Sequence, residues 1–139
     1  MTFTPLRALG ATALVAGAAL VLAGCVAKTD VAASDALDVT STDTECAVSA
    51  GNATSGTLAF NVTNDSSQIS EFYLLADDGL RIIGEVENIA PGASRTLTVV
   101  AQPGEYFPLC KPGMLGEGVG RTAFAVAGDA IAIDGPDAE

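Results

Sequence analysis

The chain has 139 residues, with six Lys or Arg against 17 Asp or Glu and no His, for a formal net charge of −11 at pH 7. This acidic balance excludes nucleic acid as a partner, because binding to a phosphate backbone needs clustered cations. The chain lacks His as a general base, a Gly-rich phosphate loop and a Ser in a nucleophile elbow, so we expect the protein not to be an enzyme.

The N-terminal segment has the pattern of a bacterial export signal. Arg7 precedes an uncharged run of small and aliphatic residues over 8–23, which is short for a membrane-spanning helix of about 20 apolar residues. The run ends in Leu-Ala-Gly-Cys at 22–25, which resembles the lipobox of bacterial lipoproteins. The resemblance implies that residues 1–24 are a signal peptide and that a lipid on Cys25 anchors the protein to the extracytoplasmic face of the cell membrane.

The remaining chain divides into a tether, one domain and a tail. Removal of residues 1–24 leaves 115 residues, enough for one domain, and a net charge near −12 because one Arg is lost. Residues 25–34 are small and polar and predict a flexible tether. Residues 35–127 form the candidate domain, and residues 128–139 predict a loosely ordered acidic tail.

Short stretches of alternating apolar and polar residues recur through the candidate domain, separated by turn-forming Asn, Asp, Pro and Gly. The clearest stretch is 57–63, where alternation places Leu58, Phe60 and Val62 on one face of a strand. About seven such strands in one domain are typical of a two-sheet sandwich. The pattern therefore predicts an all-β fold, an antiparallel Greek-key β-sandwich.

Two cysteines remain in the domain once Cys25 is assigned to the anchor, namely Cys46 and Cys110. Exported proteins meet oxidising conditions, so a disulfide between the two is one expectation. Thiolates are also soft metal ligands, so metal ligation is the alternative. The sequence leaves both states open, and also a switch between them.

Two segments resemble the metal-binding segments of cupredoxins. Residues 103–114 contain Pro-Gly, aromatic residues and Cys-x-Pro-Gly in the order of the cupredoxin ligand loop, and residues 64–72 resemble the stretch that begins with Asn and ends in His-Phe. Glu71 stands here at the position of the first histidine and Met114 at the second. Because a blue-copper centre needs two imidazoles with a thiolate, we expect no such centre.

A wider resemblance, over residues 35–127, is to the cupredoxin-like domain of the EfeO iron-uptake family. It rests on Glu-Phe-Tyr-Leu at 71–74, on Asp-Gly-Leu-Arg at 78–81 and, most specifically, on Gly-Glu-Val-Glu-Asn-Ile-Ala-Pro-Gly at 84–92. The resemblance implies a cupredoxin-like fold and a metal site with two cysteines and one glutamate. Those positions fall here on Cys46, Cys110 and Glu71.

Members of that family usually continue into a helical imelysin-like domain with a His-x-x-Glu metal motif. This chain has no histidine, so the motif is absent. Glu85 and Glu87 share a strand face by alternation, which allows a hard oxygen site, although simple solvation also explains them. Sulfur donors favour copper and carboxylates favour iron, so the mixture of donors leaves the metal undecided.

The resulting hypothesis is a lipid-anchored, extracytoplasmic metal-binding protein that captures or relays iron or copper. Its expected partners are the membrane, an iron permease and other iron-uptake components. Its candidate metal ligands are Cys46, Glu71, Cys110 and Met114. The alternative is a disulfide-closed β-sandwich interaction module that binds no metal.

Overall fold

The structure, a computed structural model, describes residues 35–132. The predicted signal peptide, the predicted lipidation site Cys25, the predicted tether up to residue 34 and the end of the tail, 133–139, lie outside the described residues. Between residues 35 and 132, no helix has the length and apolar character needed to cross a membrane.

The described residues form short β-strands joined by turns. In chain order the strands are β1 (Leu37–Ser41), β2 (Cys46–Val48), β3 (Asn52–Thr54), β4 (Gly56–Asn64), β5 (Ser70–Leu75), β6 (Ile82–Ile89), β7 (Ser94–Ala101), β8 (Gly104–Pro112), β9 (Val119–Gly120) and β10 (Phe124–Ala127). The alternating stretch at 57–63 lies within β4, where Phe60 and Val62 are fully buried.

The strands pack as two sheets, which confirms the predicted all-β sandwich. One sheet has the order β2-β1-β4-β7, and the other has the order β3-β10-β8-β5-β6, with β9 paired to β8. Most pairs are antiparallel, as predicted, but the pairs β1 with β4 and β3 with β10 are parallel. Parallel neighbours need a crossover of about a dozen residues or more, and residues 42–55 supply it between β1 and β4.

The core lies between the two sheets, around three phenylalanine side chains. The ring centroid of Phe60, in the four-stranded sheet, is 5.6 Å from that of Phe72 and 5.7 Å from that of Phe124, both in the other sheet. All three rings are buried. Aromatic side chains bury large apolar areas, so the contact among these three rings stabilises the packing of the two sheets.

Strand β5 is buried on both of its faces. Phe72 and Leu74 face the core between the sheets, whereas Tyr73 and Leu75 join Leu109 in a second, smaller apolar cluster. Because side chains alternate along a strand, this second cluster lies on the outer face of the six-stranded sheet. Outer faces of sandwiches are usually polar, so the cluster distinguishes this face.

A disulfide joins the two sheets. Cys46 begins β2, the edge strand of the four-stranded sheet, and is bonded to Cys110 of β8, with 5.4 Å between the two Cα atoms. Of the states that the sequence left open, the disulfide is the one present. It closes a chain segment with a sequence separation of 64 residues, and such closure restricts the unfolded chain.

Candidate metal centre

Glu71 is the second residue of β5, close to one end of the six-stranded sheet. In the antiparallel register with β8, Glu71 lies opposite Lys111 and Phe72 lies opposite Cys110. Directly opposed residues in such a pair point to the same face, so Glu71 and Lys111 share the outer face. The Glu71 side chain is only 6% exposed, which is uncommon for a carboxylate.

The turn that leads into β5 is held by a buried side chain, Asn64. Its Nδ2 donates to the carbonyls of Gln68 and Ile89, both at 2.7 Å. Its Oδ1 accepts from the backbone N–H and the hydroxyl of Ser66, at 2.9 and 2.6 Å. The buried amide is therefore satisfied, and it ties the turn to the end of β6, which positions Glu71 at the start of β5.

Glu71 forms a hydrogen bond with Tyr73, two residues further along the same face of β5. The Tyr73 Oη donates to Glu71 Oε2 at 2.5 Å, and both side chains are buried. Tyr73 is absent from the ligands predicted from the sequence, although the period of two along a strand would have placed it beside Glu71. The pair supplies two adjacent hard oxygen donors.

The pKa of Tyr73 is raised above its ordinary value of 10.0. Burial of the phenol is the largest cause, followed by the hydrogen bond to Glu71 and by the negative charges of Glu71, Glu85 and Glu87. All of these disfavour the phenolate. Coordination by the Tyr73 oxygen as phenolate therefore requires the metal to displace a proton.

Glu85 and Glu87 lie on the neighbouring strand, β6, and are exposed. Glu85 is directly opposite Tyr73 and so shares the outer face. Glu87 lies at a bulge, where Glu87 and Asn88 of β6 face the single residue Glu71 of β5. Among the residues that the structure describes, no three His, Cys, Asp or Glu side chains are grouped so as to hold a metal ion.

The two cysteine candidates are separated from Glu71. Cys110 faces the core with Phe72, on the other side of the sheet from Glu71, and is bonded to Cys46. Met114 lies half-buried in the turn after β8, with a φ of 57°. The structure thus does not bring the four predicted ligands together, and a disulfide offers no thiolate. Metal ligation by the cysteines and Met114 stays a prediction.

A cavity of about 300 Å³ opens on the outer face beside Tyr73. The apolar cluster of Tyr73, Leu75 and Leu109 forms its floor, and the cationic side chains of Lys111 and Arg121 also line it. The Lys111 Nζ lies 5.2 Å from the centre of the Tyr73 ring, within the range of a cation–π contact. The volume is at the lower end of the range for small-molecule sites.

One wall of the cavity is the turn that joins β5 to β6. Asp78 Oδ1 accepts hydrogen bonds from the N–H groups of Arg81 and Leu80, both at 2.8 Å, and these bonds lower the pKa of Asp78. The ordered turn presents Leu80 and Ile82 to the cavity, where they are 79% and 50% exposed. Exposed apolar side chains beside a concave surface are a feature of binding sites.

Comparisons with known proteins identify relatives by sequence. The family described as the cupredoxin-like domain matches residues 13–119. The iron uptake system component EfeO of Yersinia pestis is 34% identical over 109 residues, which cover 73% of this chain and 28% of that protein. EfeO of Escherichia coli strain K12 is 36% identical over 94 residues, which cover 68% and 24%. The chain therefore spans about a quarter of the length of these curated relatives.

A solved structure shares the fold. The crystal structure of reduced auracyanin from the photosynthetic bacterium Roseiflexus castenholzii matches with a TM-score of 0.51 and 21% identity, covering 66% of this chain and 95% of that one. At this identity the likeness concerns the fold alone, and it agrees with the two-sheet sandwich.

Proposed function

Since the chain belongs to the cupredoxin-like domain family, we propose that it is an extracytoplasmic component of bacterial iron uptake in which Glu71 and Tyr73 bind the iron ion. Iron in this role is a cargo that the protein captures or relays. The similarity to the iron uptake system component EfeO supports this cargo.

The observation that carries the proposal is a carboxylate buried beside a phenol. Glu71 is 6% exposed and accepts a hydrogen bond from Tyr73. Burial of a carboxylate is costly unless a partner compensates for the lost hydration, and Fe(III), a hard cation, prefers such oxygen donors. The disulfide between Cys46 and Cys110 withholds the soft thiolates that favour copper. Of the two metals compatible with the sequence, this donor set favours iron.

The charge of the whole molecule supports capture of a cation. A formal net charge of −11 raises the local concentration of cations at the surface. Glu85 contributes to this field directly opposite Tyr73. Two protein donors leave most coordination positions of an iron ion open, which suits transfer to a permease or to a second extracytoplasmic domain.

Calorimetric titration of Fe(III), Cu(II) and Zn(II) tests the role of Glu71. Glu71→Gln keeps the shape of the side chain and removes its charge, so we expect iron binding to weaken by about 3 kcal/mol, the order of the cost of breaking a buried charge pair. Asp129→Asn removes an exposed carboxylate and should leave the affinity unchanged. Tyr73→Phe should abolish visible phenolate-to-iron absorption. Equal iron affinities in all four proteins would contradict the proposal.

The closed disulfide supports a second candidate function, an interaction module without metal. In that function the Glu71–Tyr73 hydrogen bond is structural, because it satisfies a buried carboxylate. The same titration separates the two functions. An absence of saturable metal binding by the wild-type protein favours the interaction module.

We also propose that Cys25 is lipidated after export and that the domain acts at the membrane beside an iron permease or another uptake component. The Leu-Ala-Gly-Cys sequence at 22–25 supports this anchor. Because thioether formation requires a cysteine, Cys25→Ser should abolish acylation and signal-peptide cleavage. Metabolic labelling with palmitate and the size of the protein on a gel measure both. Labelled lipid on the Ser variant would exclude the anchor.

A further inference from the structure

Lys111 gives the Glu71–Tyr73 pair a positive neighbour. Lys111 lies opposite Glu71 in the β5–β8 register, and its Nζ is 5.2 Å from the centre of the Tyr73 ring. This separation is shorter than the Debye length at physiological salt, and the groups are partly buried, so dissolved salt screens the charge of Lys111 only weakly here. The charge of Lys111 therefore opposes the binding of a bare cation to the pair, and it opposes an iron ion accompanied by anionic groups less.

A second cation, Arg121, lines the adjoining cavity. Its φ of 54° lies in the left-handed region that favours glycine, and its N–H donates to the Pro108 carbonyl at 2.9 Å. Such backbone conformations persist where the surroundings enforce them, and they concentrate at ligand sites. The guanidinium lies over the turn at Gly79, where an added Cβ would be 3.8 Å from Nη1.

These two residues concentrate positive charge in an acidic molecule. Lys111 and Arg121 are two of the four Lys or Arg between residues 35 and 132, and both line the same cavity. Amino and guanidinium groups that converge on one concave surface are suited to carboxylates.

The remaining lining indicates that the anion has a carbon skeleton. The floor of the cavity is the apolar cluster of Tyr73, Leu75 and Leu109, and its rim carries the exposed Leu80 and Ile82. A small organic ligand would cover these apolar surfaces, and their removal from water would strengthen its binding. An inorganic anion would leave them exposed to water.

The cavity also contains negative charge. Glu85 and Glu117 line it, and they repel a free polyanion. A polycarboxylate that carries a metal ion has a lower negative charge, and its metal is attracted to these glutamates. The mixture of charges therefore favours the metal-loaded form of a chelator over the free form.

We propose that this cavity binds a small organic polycarboxylate together with its iron ion, with the carboxylates against Lys111 and Arg121 and the iron toward Glu71 and Tyr73. The inference rests on the proposed function and adds the chemical form in which the iron arrives.

Titrations with ferric citrate, with citrate alone and with Fe(II) under anaerobic conditions test this inference. Lys111→Gln and Arg121→Asn remove one positive charge each, and Asn tolerates the left-handed backbone at 121. Arg95→Gln is the control, because Arg95 lies on the four-stranded sheet and lines none of the cavity. Circular dichroism and thermal unfolding of each variant show whether the fold is retained.

We expect wild-type protein to bind ferric citrate more tightly than citrate alone. Lys111→Gln and Arg121→Asn should each weaken ferric citrate binding about tenfold, the size of one charge-assisted hydrogen bond. Lys111→Gln should leave Fe(II) binding unchanged or strengthen it, because a repelling charge is gone. Arg95→Gln should change neither affinity.

Two results would overturn the inference. One is ferric citrate binding that is no tighter than citrate binding, and the other is ferric citrate binding that neither cationic variant weakens. If Fe(II) binds in a Glu71-dependent manner and ferric citrate does not bind, the chelate inference fails and the proposed function stands. If neither form of iron binds, both fail.

Discussion

The hydroxyl of Tyr73 is buried, hydrogen-bonded to Glu71 and surrounded by carboxylates, and each of these features disfavours the phenolate. The pKa of Tyr73 is therefore raised in the folded protein and stays near 10 in the unfolded chain. This difference in pKa determines how the stability of the fold depends on pH. The stability that neutral Tyr73 contributes is fully present below pH about 10 and is lost as the pH rises toward the folded-state pKa.

Ultraviolet titration of a variant with a single tyrosine tests this pKa. The chain has two tyrosines, so Tyr106→Phe leaves Tyr73 as the only phenol. We expect its phenolate absorbance to appear only well above pH 10 while the protein is folded, and at about pH 10 in urea. Tyr73→Phe should remove the corresponding loss of thermal stability at alkaline pH. A folded-state midpoint at pH 10 would show that the phenol is solvated.

At the scale of the elements, Gly84 allows β6 to approach the facing sheet closely. Gly84 is opposite Leu74 in the β5–β6 register, and a Cβ at this position would lie 2.5 Å from Val99 Cγ1 and 3.2 Å from Leu97 Cδ1 of β7. Glycine within a strand often marks such an approach of another element. The close contact holds β6, which carries Glu85, against the sandwich.

Gly84→Ala is expected to destabilise the fold by about 1–3 kcal/mol, because the added methyl group overpacks the contact with β7. Urea unfolding measures the change. Gly51→Ala is the matched control, since a Cβ at Gly51 meets no atom within 4 Å, and it should change the stability by about 0.5 kcal/mol or less. Equal effects of the two substitutions would show that the Val99 side chain moves aside at little cost in stability.

The local sequence pattern predicts where a strand lies but not which strands pair in parallel. The alternation at 57–63 predicted β4, because a strand with one buried face repeats every two residues. The parallel pairs β1 with β4 and β3 with β10 could not be predicted in this way. Strand direction within a sheet depends on which distant segments become neighbours, and no local pattern records that choice.

At the scale of the whole molecule, the disulfide is the covalent link between the two sheets. Cys46 and Cys110 are both buried, and their bond connects β2 with β8. In the chain-entropy account, closing 64 residues restricts the unfolded ensemble and so stabilises the folded state. The domain is small, so this constraint supplements a modest core.

The double variant Cys46→Ala and Cys110→Ala should lose about 2–5 kcal/mol of unfolding free energy. Wild-type protein unfolded in the presence of a reductant should show a similar loss, which controls for the packing changed by the substitutions. Iron binding by the folded double variant should match that of the wild type, because the Glu71–Tyr73 pair lies on the other face of the sheet from Cys110. Loss of iron binding in the double variant would instead indicate that Cys46 and Cys110 take part in metal binding.

The candidate site was only partly predictable from the sequence. The place of Glu71 in a motif that resembles the cupredoxin one predicts a ligand, and the structure shows this residue buried at the start of β5. Tyr73 was missed, although strand periodicity alone places it on the same face. The separation of Cys110 from Glu71 was not predictable, because it depends on the register between β5 and β8, in which Cys110 faces Phe72 and Lys111 faces Glu71.

The sequence by itself determined the all-β class, through local alternation, and the oxygen and sulfur donors available in a chain without histidine. Only the tertiary structure decided which donors meet. The disulfide is turned into the core, and Glu71 and Tyr73 are turned outward beside a cavity with two cations. The physical reason is that composition and periodicity act within a segment, whereas the face and the neighbour of each side chain depend on pairing between segments far apart in the chain.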